Sequence, residues 1–571
     1  MPPMAGLQLI APTVSMLCVS SSVRAPRRAA ASAASTPACP PPTTITSYLP
    51  ASFMAAIVGR LRPGASGNGM LGPVPHRKLA LFALLSMALV PAARAAQASG
   101  PGTTLAFSPC RLEHPLGLIS LEAECGRLSV PENRQAPAGR KLQLFVARLP
   151  SLSRRHSPAP LFILAGGPGL GASTFYTTAS SAFTRIRRNH DIVIVDQRGT
   201  GKSHPLNCPI DEQQLWDASE ADTARIMGEC RKRLEGDHDL SQYTSSVAVQ
   251  DLDAVRQAMG YQRIALYGSS YGTRVAQHYA RRFPANTLAL ILDGVVPPTQ
   301  VLGVTTPLDA EDSLQRIFAR CRAEPACFRQ FGDPAVDYRQ LRDKLAAAPV
   351  AVTLPNPRSG LPTPLQFSAA AFAGALRLSS YSSDRAALLP LTLHLANREA
   401  QYTPLASQYL LASAGYDAVL AYGMHNSVVC TEDVPFFASP LVNREKLAAT
   451  FLGNSQLDAL QALCREWPRG PMDPDFHQPL SSRVPALLLS GSADPVTPEY
   501  FADEAARGFT QALRITLPGQ GHGQLLQNCI DRIMADFLQV AAAGRTLRVD
   551  QSCASKLKAA PFFLSLNGPA P

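Results

Sequence analysis

The stretch Ile264-Ala265-Leu266-Tyr267-Gly268-Ser269-Ser270-Tyr271-Gly272 decides the fold of this chain. Its apolar run reads as a buried strand, it ends in a G-x-S-x-G pentapeptide, and residues 273–283 read as a helix. A nucleophilic serine must stand clear of its own backbone at the end of a strand, and the turn that achieves this is so sharp that glycine has to flank it. Because glycine is a common residue, the pentapeptide alone is weak evidence. Whether Ser270 is a nucleophile therefore depends on the flanking strand and helix and on catalytic partners later in the chain.

Two candidate partners for Ser270 follow predicted strands near the C-terminal end. Residues 484–491 read as a buried strand with Asp494 in the next loop, and residues 513–517 read as another strand with His522 after it. Open α/β sheets bind their ligands in a crevice at the carboxyl ends of the strands, where these two loops begin. The order Ser, Asp, His along the chain is that of the α/β-hydrolases. Taken singly, Asp494 could be a turn residue and His522 a surface-loop residue. Together with Ser270 they predict a catalytic triad.

The remaining apolar runs predict an α/β fold with a mostly parallel sheet and helices on both faces. Residues 121–130 and 142–149 alternate as antiparallel strands do, whereas 161–164, 192–195 and 288–292 are continuously apolar, as expected for strands buried on both faces. We expect residues 105–300 to form the first part of an α/β-hydrolase core and residues 481–555 to form the second part.

Residues 301–480 break this rhythm of strands. This segment instead contains helix-like stretches, joined by Pro-rich loops, at residues 313–322, 369–376, 405–411 and 446–451. An insertion between two core strands is expected to be a helical cap over the active site. The alternative is a separate domain that is unrelated to catalysis.

The first 95 residues differ in composition from the rest. Residues 1–69 are rich in Pro, Ala and Ser, and residues 70–95 combine a basic start, an apolar run at 79–90 and an A-x-A-like site ending at Ala95. This pattern is typical of a cleaved secretory signal, and the apolar run is too short to span a bilayer. Because such signals begin near a start codon, we expect translation to start at Met70 or Met54, with residues 1–69 a misassigned segment.

Charge and cysteines agree with an exported protein that does not bind nucleic acid. The chain has a net charge of +11, but eight of its 53 basic residues and none of its 42 acidic residues lie in residues 1–95, which leaves +3 for the remainder. That remainder has no basic patch of the nucleic-acid-binding kind and holds ten cysteines. Sequence cannot fix their connectivity, and the simplest expectation is local disulfides, pairing 110–125, 208–230, 321–327, 430–464 and 529–553.

A glycine-rich loop follows the first predicted parallel strand, at Ala165-Gly166-Gly167-Pro168-Gly169-Leu170-Gly171. Backbone N–H groups in such a loop can face a developing oxyanion, so the N–H groups of Gly167 and Tyr271 are candidates for an oxyanion hole. The loop could instead be only a tight turn. It lacks the spacing of a phosphate-binding loop.

Three motifs together carry a resemblance to a known family. Gly166-Gly167-Pro168-Gly169, Asp196-Gln197-Arg198-Gly199-Thr200-Gly201-Lys202-Ser203 and the serine pentapeptide resemble those of the proline iminopeptidase and tripeptidyl aminopeptidase group of α/β-hydrolases. The similarity runs from about residue 105 to 555. Ala165 departs from the pattern, because many members have histidine before the glycine pair.

The resemblance implies an enzyme that removes short N-terminal pieces from peptides with a free N-terminus, without metal or other cofactor. The predicted signal peptide implies that this enzyme is secreted or periplasmic and has no stable membrane anchor after cleavage. It also implies an acid in the cap that holds the substrate ammonium, and Glu432 is the matching candidate. The alternative for Glu432 is a solvated surface acid beside a disulfide. Asp196 and Arg198 are expected to stabilise the loop beside the active site and to take no part in breaking bonds. A secreted esterase or amidase with the same triad, or a non-catalytic binding protein, are the other functions considered.

Overall fold

The computed structural model describes residues 105–210, 220–417, 419–437 and 442–569. The signal peptide and the start sites predicted within residues 1–95 lie outside this part of the chain. Among the described residues, no helix has the length and apolar character needed to cross a membrane.

Thirteen strands occur in the described part of the chain. In chain order they are β1 (Ser108–Glu113), β2 (Ser120–Pro131), β3 (Lys141–Leu149), β4 (Leu161–Leu164), β5 (Ile192–Val195), β6 (Ile264–Ser269), β7 (Thr287–Asp293), β8 (Val350–Pro355), β9 (Pro362–Phe367), β10 (Ala486–Gly491), β11 (Ala512–Leu517), β12 (Phe563–Ser565) and β13 (Gly568–Pro569). Nine of them form one sheet in the order β1-β2-β3-β5-β4-β6-β7-β10-β11, and β8–β9 and β12–β13 form two small pairs.

The helices described by the structure surround this sheet and fill the insertion. They are α1 (Ala172–Ala179), α2 (Thr184–Arg187), α3 (Glu220–Asp237), α4 (Ser245–Ala258), α5 (Tyr271–Arg282), α6 (Thr306–Ala323), α7 (Pro325–Phe331), α8 (Pro334–Ala347), α9 (Ala369–Ser380), α10 (Ser383–Ala386), α11 (Leu389–Arg398), α12 (Thr403–Asp417), α13 (Tyr422–Glu432), α14 (Arg444–Ala448), α15 (Ser455–Leu463), α16 (Glu499–Ala506) and α17 (Ile530–Ala542). Short 3-10 turns lie at Ser180–Phe183, Leu240–Gln242, Pro284–Asn286, Val434–Phe436 and Ala554–Lys556.

The sheet has the mixed architecture that the sequence predicts. Strands β1 to β3 are antiparallel, and β5, β4, β6, β7, β10 and β11 are parallel. The parallel strands β4, β5, β6, β7 and β10 are almost entirely buried, which explains their continuous apolar character. One apolar cluster packs on each face. The predicted α/β-hydrolase fold is confirmed.

The chain order creates a switch point at β4. After β4 the chain forms β5 on one side of it and later β6 on the other. Leu164 at the end of β4 pairs with Gly268 of β6, so the two strands end at the same level. The loops that leave them therefore open a crevice at the carboxyl edge of the sheet, where α/β proteins bind ligands.

The segment between β7 and β10 holds α6 to α15 and has an apolar core of its own. The predicted helical stretches at 313–322, 369–376 and 405–411 lie within α6, α9 and α12, and the stretch at 446–451 overlaps α14. The hairpin of β8 and β9 within this segment was not expected. The insertion is therefore mainly, but not entirely, helical.

All five disulfides expected from local spacing are present. They join Cys110 to Cys125, Cys208 to Cys230, Cys321 to Cys327, Cys430 to Cys464 and Cys529 to Cys553. Each closes a loop of 6 to 34 residues, so each restrains a local segment and none links distant parts of the chain.

Candidate active site

Ser270 occupies the strained turn between β6 and α5. Its backbone angles are φ 53° and ψ −123°, which a non-glycine residue adopts only when its surroundings impose them. The N–H of Ser270 donates to the carbonyl of Asp293 at 2.8 Å, which ties the turn to the end of β7. The half-buried side chain stands at the carboxyl edge of the sheet.

Steric crowding explains why the two positions that flank the turn, Gly268 and Gly272, are glycine. A Cβ at Gly268 would lie 2.4 Å from the carbonyl oxygen of Gly272, and a Cβ at Gly272 would lie 2.6 Å from the carbonyl oxygen of Leu164 in β4. Both distances are far below any normal contact, so the turn closes only without side chains at these positions.

The glycine-rich loop after β4 approaches Ser270 closely. A Cβ at Gly166 would lie 3.0 Å from the Cβ of Ser270, and Gly167 has φ +108°, which favours glycine. The N–H of Tyr271 lies at the first position of α5, where a helix offers no acceptor. Within the described ranges, neither this N–H nor that of Gly167 has a hydrogen-bond acceptor. Both groups remain available to an oxyanion.

Asp494 and His522 are hydrogen-bonded to each other. Nδ1 of His522 lies 2.8 Å from Oδ2 of Asp494, and both residues are in loops that follow parallel strands. The backbone N–H groups of Val496 and Thr497 donate to Oδ1 of Asp494 at 2.9 and 2.8 Å, and the Thr497 hydroxyl donates to Oδ2 at 2.7 Å. The carboxylate is thus fixed in orientation. Sequence analysis missed Thr497, although a hydroxyl three residues after an acid in a turn is a usable signal.

The end of β7 connects the loops of Ser270 and His522. Gly294 follows Asp293, the residue that accepts the N–H of Ser270, and a Cβ at Gly294 would lie 2.9 Å from Cε1 of His522. The Asp293 carboxylate also accepts the backbone N–H of Gln524 at 2.7 Å. The structure therefore brings Ser270, Asp494 and His522 to one region of the sheet edge.

The electrostatics favour an ionised Asp494 and a basic His522. Burial raises the pKa of Asp494, but the charge of His522 and the hydrogen bonds outweigh burial and hold this pKa below its ordinary value. Burial lowers the pKa of His522, yet the charge and hydrogen bond of Asp494 leave its pKa above the ordinary value. A carboxylate in this position stabilises the imidazolium that forms when the histidine accepts a proton.

Asp196 and Arg198 form hydrogen bonds to neighbouring segments, and none of the hydrogen bonds that the structure describes for them is to Ser270. The Asp196 carboxylate accepts the N–H of Ser173 at 2.7 Å and the N–H of Lys202 at 2.8 Å. The Arg198 guanidinium donates to Asp251 and to the carbonyl of Glu132 at 2.7 Å. Both side chains are fully buried, and they hold the loop that packs beside the glycine-rich loop.

Glu432 lies at the end of α13 and is fully buried, unlike a surface acid. Its oxygens accept the N–H of Ser245 at 2.6 Å and the Ser245 hydroxyl at 2.9 Å, so it caps the start of α4. Arg274 lies 3.8 Å away. Burial raises the pKa of Glu432 to about 7, against the charge of Arg274. These contacts account for Glu432 without a substrate.

Three residues of the insertion contact the catalytic loops, and sequence analysis found none of them. The carbonyl of Tyr381 accepts the N–H of His522 at 2.8 Å, and the two rings meet edge to face at 5.3 Å. A ring N–H of His425 donates from Nδ1 to the carbonyl of Pro168 at 3.1 Å. Leu420 pairs with Leu170 in an isolated bridge. Helices joined by variable loops give no sequence signal for such contacts.

Comparison with known proteins agrees with this geometry. The model of a family described as "TAP-like protein" matches residues 449–553, which include Asp494 and His522. Serine protease Hip1 of Mycobacterium tuberculosis is 26% identical over 486 residues, which are 76% of this chain and 89% of that protein. Tripeptidyl aminopeptidase of Streptomyces coelicolor is 29% identical over 194 residues, 31% of this chain and 36% of that protein.

A relative named for a different activity is also similar. Carboxylesterase B of Mycobacterium tuberculosis is 27% identical over 468 residues, covering 75% of this chain and 86% of that protein. The resemblance drawn from the three motifs is thus confirmed. The chain is a hydrolytic enzyme with the α/β-hydrolase fold, similar to serine protease Hip1 and to tripeptidyl aminopeptidase.

Proposed function

We propose that this chain is an exported serine aminopeptidase that releases aminoacyl or tripeptidyl pieces from the N-terminus of peptides. Ser270 is the proposed nucleophile, His522 the general base and Asp494 the residue that orients it. The observation that carries this proposal is the 2.8 Å hydrogen bond between His522 and Asp494, formed beside the end of β7 that also holds the N–H of Ser270.

The proposed reaction follows from this arrangement. His522 accepts the hydroxyl proton of Ser270 as Oγ attacks the scissile carbonyl carbon, while the imidazolium is stabilised by Asp494. The N–H groups of Gly167 and Tyr271 bind the oxyanion of the tetrahedral intermediate. His522 then gives the proton to the leaving amine as the C–N bond breaks. In the second half of the reaction His522 accepts a proton from water as the water attacks the acyl carbon, and it returns this proton to Oγ of Ser270 as the ester C–O bond breaks.

Specificity for a free N-terminus requires an acid near the acyl site, and Glu432 remains our candidate. A carboxylate whose pKa is raised by burial gains from pairing with a cation, and an acetylated N-terminus would leave it unpaired. Ser245 donates one hydrogen bond to each oxygen of Glu432, which leaves a second lone pair on each oxygen for an ammonium.

Export is supported by the five disulfides, which persist in oxidising compartments. Under this proposal the enzyme acts in the periplasm or outside the cell, and residues 70–95 are removed. N-terminal sequencing of the mature protein tests this. A first residue upstream of Met70 would contradict a start at Met70, and a first residue upstream of Met54 would contradict both proposed starts.

The competing function is a secreted esterase with the same triad, which the similarity to a carboxylesterase favours. Amino-acyl and tripeptidyl anilides, their N-acetylated forms and p-nitrophenyl esters separate the two. The aminopeptidase proposal predicts that acetylation abolishes anilide hydrolysis and that Glu432→Gln lowers turnover of free-amine substrates selectively. Equal cleavage of acetylated and free substrates would refute it.

A further inference from the structure

Arg377 is a charged residue of the insertion that the proposed mechanism does not use. It lies in α9, four residues before Tyr381, and residues four apart share one face of a helix. Tyr381 contacts His522 through its carbonyl and its ring. The face of α9 that carries Arg377 is therefore the face that covers the His522 loop.

The charge of Arg377 acts on both catalytic loops. Burial lowers the pKa of His425, which contacts the glycine-rich loop, and the charge of Arg377 lowers it further. At His522, burial and then Arg377 lower the pKa, against the raising effect of Asp494. Arg377 is thus close enough to His425 and to His522 for its charge to affect both residues.

This positive charge has no counter-ion among the residues the structure describes. Nη1 of Arg377 donates one long hydrogen bond of 3.5 Å to Gln456, and its buried Nε has no acceptor at all. Nε of Arg274 is also without a partner among these residues, but Arg274 binds the Asp433 carboxylate through its other nitrogens, and the buried guanidinium of Arg198 binds Asp251. Arg377 differs from both because it binds no carboxylate in the described part of the chain. A buried donor without a partner is uncommon in a folded protein.

The unpartnered Nε defines the ligand. Nε and Nη2 form one edge of the planar guanidinium, and this edge binds a carboxylate through two parallel hydrogen bonds. A substrate carboxylate would give Nε its missing acceptor and would neutralise a positive charge that lowers the pKa of the catalytic histidine.

We propose that Arg377 forms a subsite for a carboxylate of the substrate, either the C-terminal group of a short peptide or an acidic side chain near the cut bond. This subsite rests on the proposed hydrolytic function and deepens it. Arg377 determines specificity there and takes no part in breaking the bond.

Three matched substrate pairs test the subsite. They are a short peptide with a free or an amidated C-terminus, an amidated peptide with Glu or Gln beside the cut bond, and mono-p-nitrophenyl succinate against p-nitrophenyl butyrate. We expect kcat/KM to favour the carboxylate in at least one pair by about 10- to 100-fold, the range for a hydrogen bond to a charged group. The pair that shows the preference identifies the source of the carboxylate.

Arg377→Gln is expected to reduce that preference to near one, mainly by raising KM for the carboxylate substrate. Arg377→Lys keeps the charge without the planar edge, so an intermediate preference is expected. It also serves as the test if the glutamine variant does not fold. Arg339→Gln, at an exposed arginine of α8, is the matched control and should leave the preference unchanged.

The proposal is overturned if the wild-type enzyme shows no preference in any pair, or if Arg377→Gln retains it. Hydrolysis of esters without hydrolysis of any peptide would refute the peptidase function alone. In that case the succinate and butyrate pair still tests Arg377.

Discussion

Replacing Glu432 by glutamine should change how the stability of the protein depends on pH. Burial raises the pKa of this carboxyl from 4.5 to about 7 in the folded state. Each pKa unit corresponds to about 1.4 kcal/mol, so the change corresponds to about 3 kcal/mol of unfolding free energy. Glutamine keeps the size of the side chain and can accept the N–H of Ser245.

The sign follows from proton binding. Between pH 4.5 and about 7 the folded state holds a proton on Glu432 that the unfolded state has lost. This contribution to stability is fully present below pH 4.5 and disappears as the pH rises through about 7. The unfolding free energy of the wild-type protein therefore falls by about 3 kcal/mol over this pH range, and that of Glu432→Gln does not fall for this reason.

The assay is denaturant unfolding of both proteins from pH 4.5 to 8.5 with the disulfides intact. The difference between their unfolding free energies should shift by about 3 kcal/mol in favour of the variant as the pH rises. Glu229→Gln, at an exposed acid of α3, is the control and should show no such shift. A difference between wild type and Glu432→Gln that stays constant with pH would refute the reasoning about burial.

Three further predictions concern the catalytic residues. Gly272→Ala places a Cβ 2.6 Å from the carbonyl oxygen of Leu164, so p-nitrophenyl ester hydrolysis should fall by at least about 100-fold. The control is Gly236→Ala, in a helix where the added Cβ meets no other atom. An equal loss of activity in both variants would contradict the steric explanation. Asp494→Asn should lower kcat by about 10⁴-fold, because the histidine then adopts the wrong tautomer, and a change in KM alone would contradict this role. Since His522 accepts a proton only when neutral and its pKa is raised, kcat/KM should fall as the pH drops, with a midpoint above 6.5; a lower midpoint would count against Asp494 as its partner.

The central strands and the three catalytic candidates could be predicted from the sequence for a clear physical reason. Strands buried on both faces have continuous apolar runs, as in β4, β5 and β10. Parallel strands end at one edge, so Ser270, Asp494 and His522 could be placed together without knowing any distance.

The elements that were missed lack such a signal. Strand β1 has the polar, largely exposed sequence SPCRLE, and the hairpin of β8 and β9 carries prolines at Pro355 and Pro362. Their pairing depends on a partner strand more than on their own composition.

The burial of Glu432 was missed because its partners are remote in sequence. Ser245 and Arg274 lie more than 150 residues before it, and only packing of α13 against α4 and α5 encloses the carboxylate. The same holds for Tyr381, which contacts His522 because of the position of α9.

Covalent labelling with a fluorophosphonate tests the role of Ser270 most directly. The account predicts one adduct per chain, located on Ser270 by peptide mass spectrometry, and no adduct in Ser270→Ala. Labelling should slow strongly in Asp494→Asn, because His522 then no longer activates the hydroxyl. An adduct on another residue, or hydrolysis that persists in Ser270→Ala, would contradict the account.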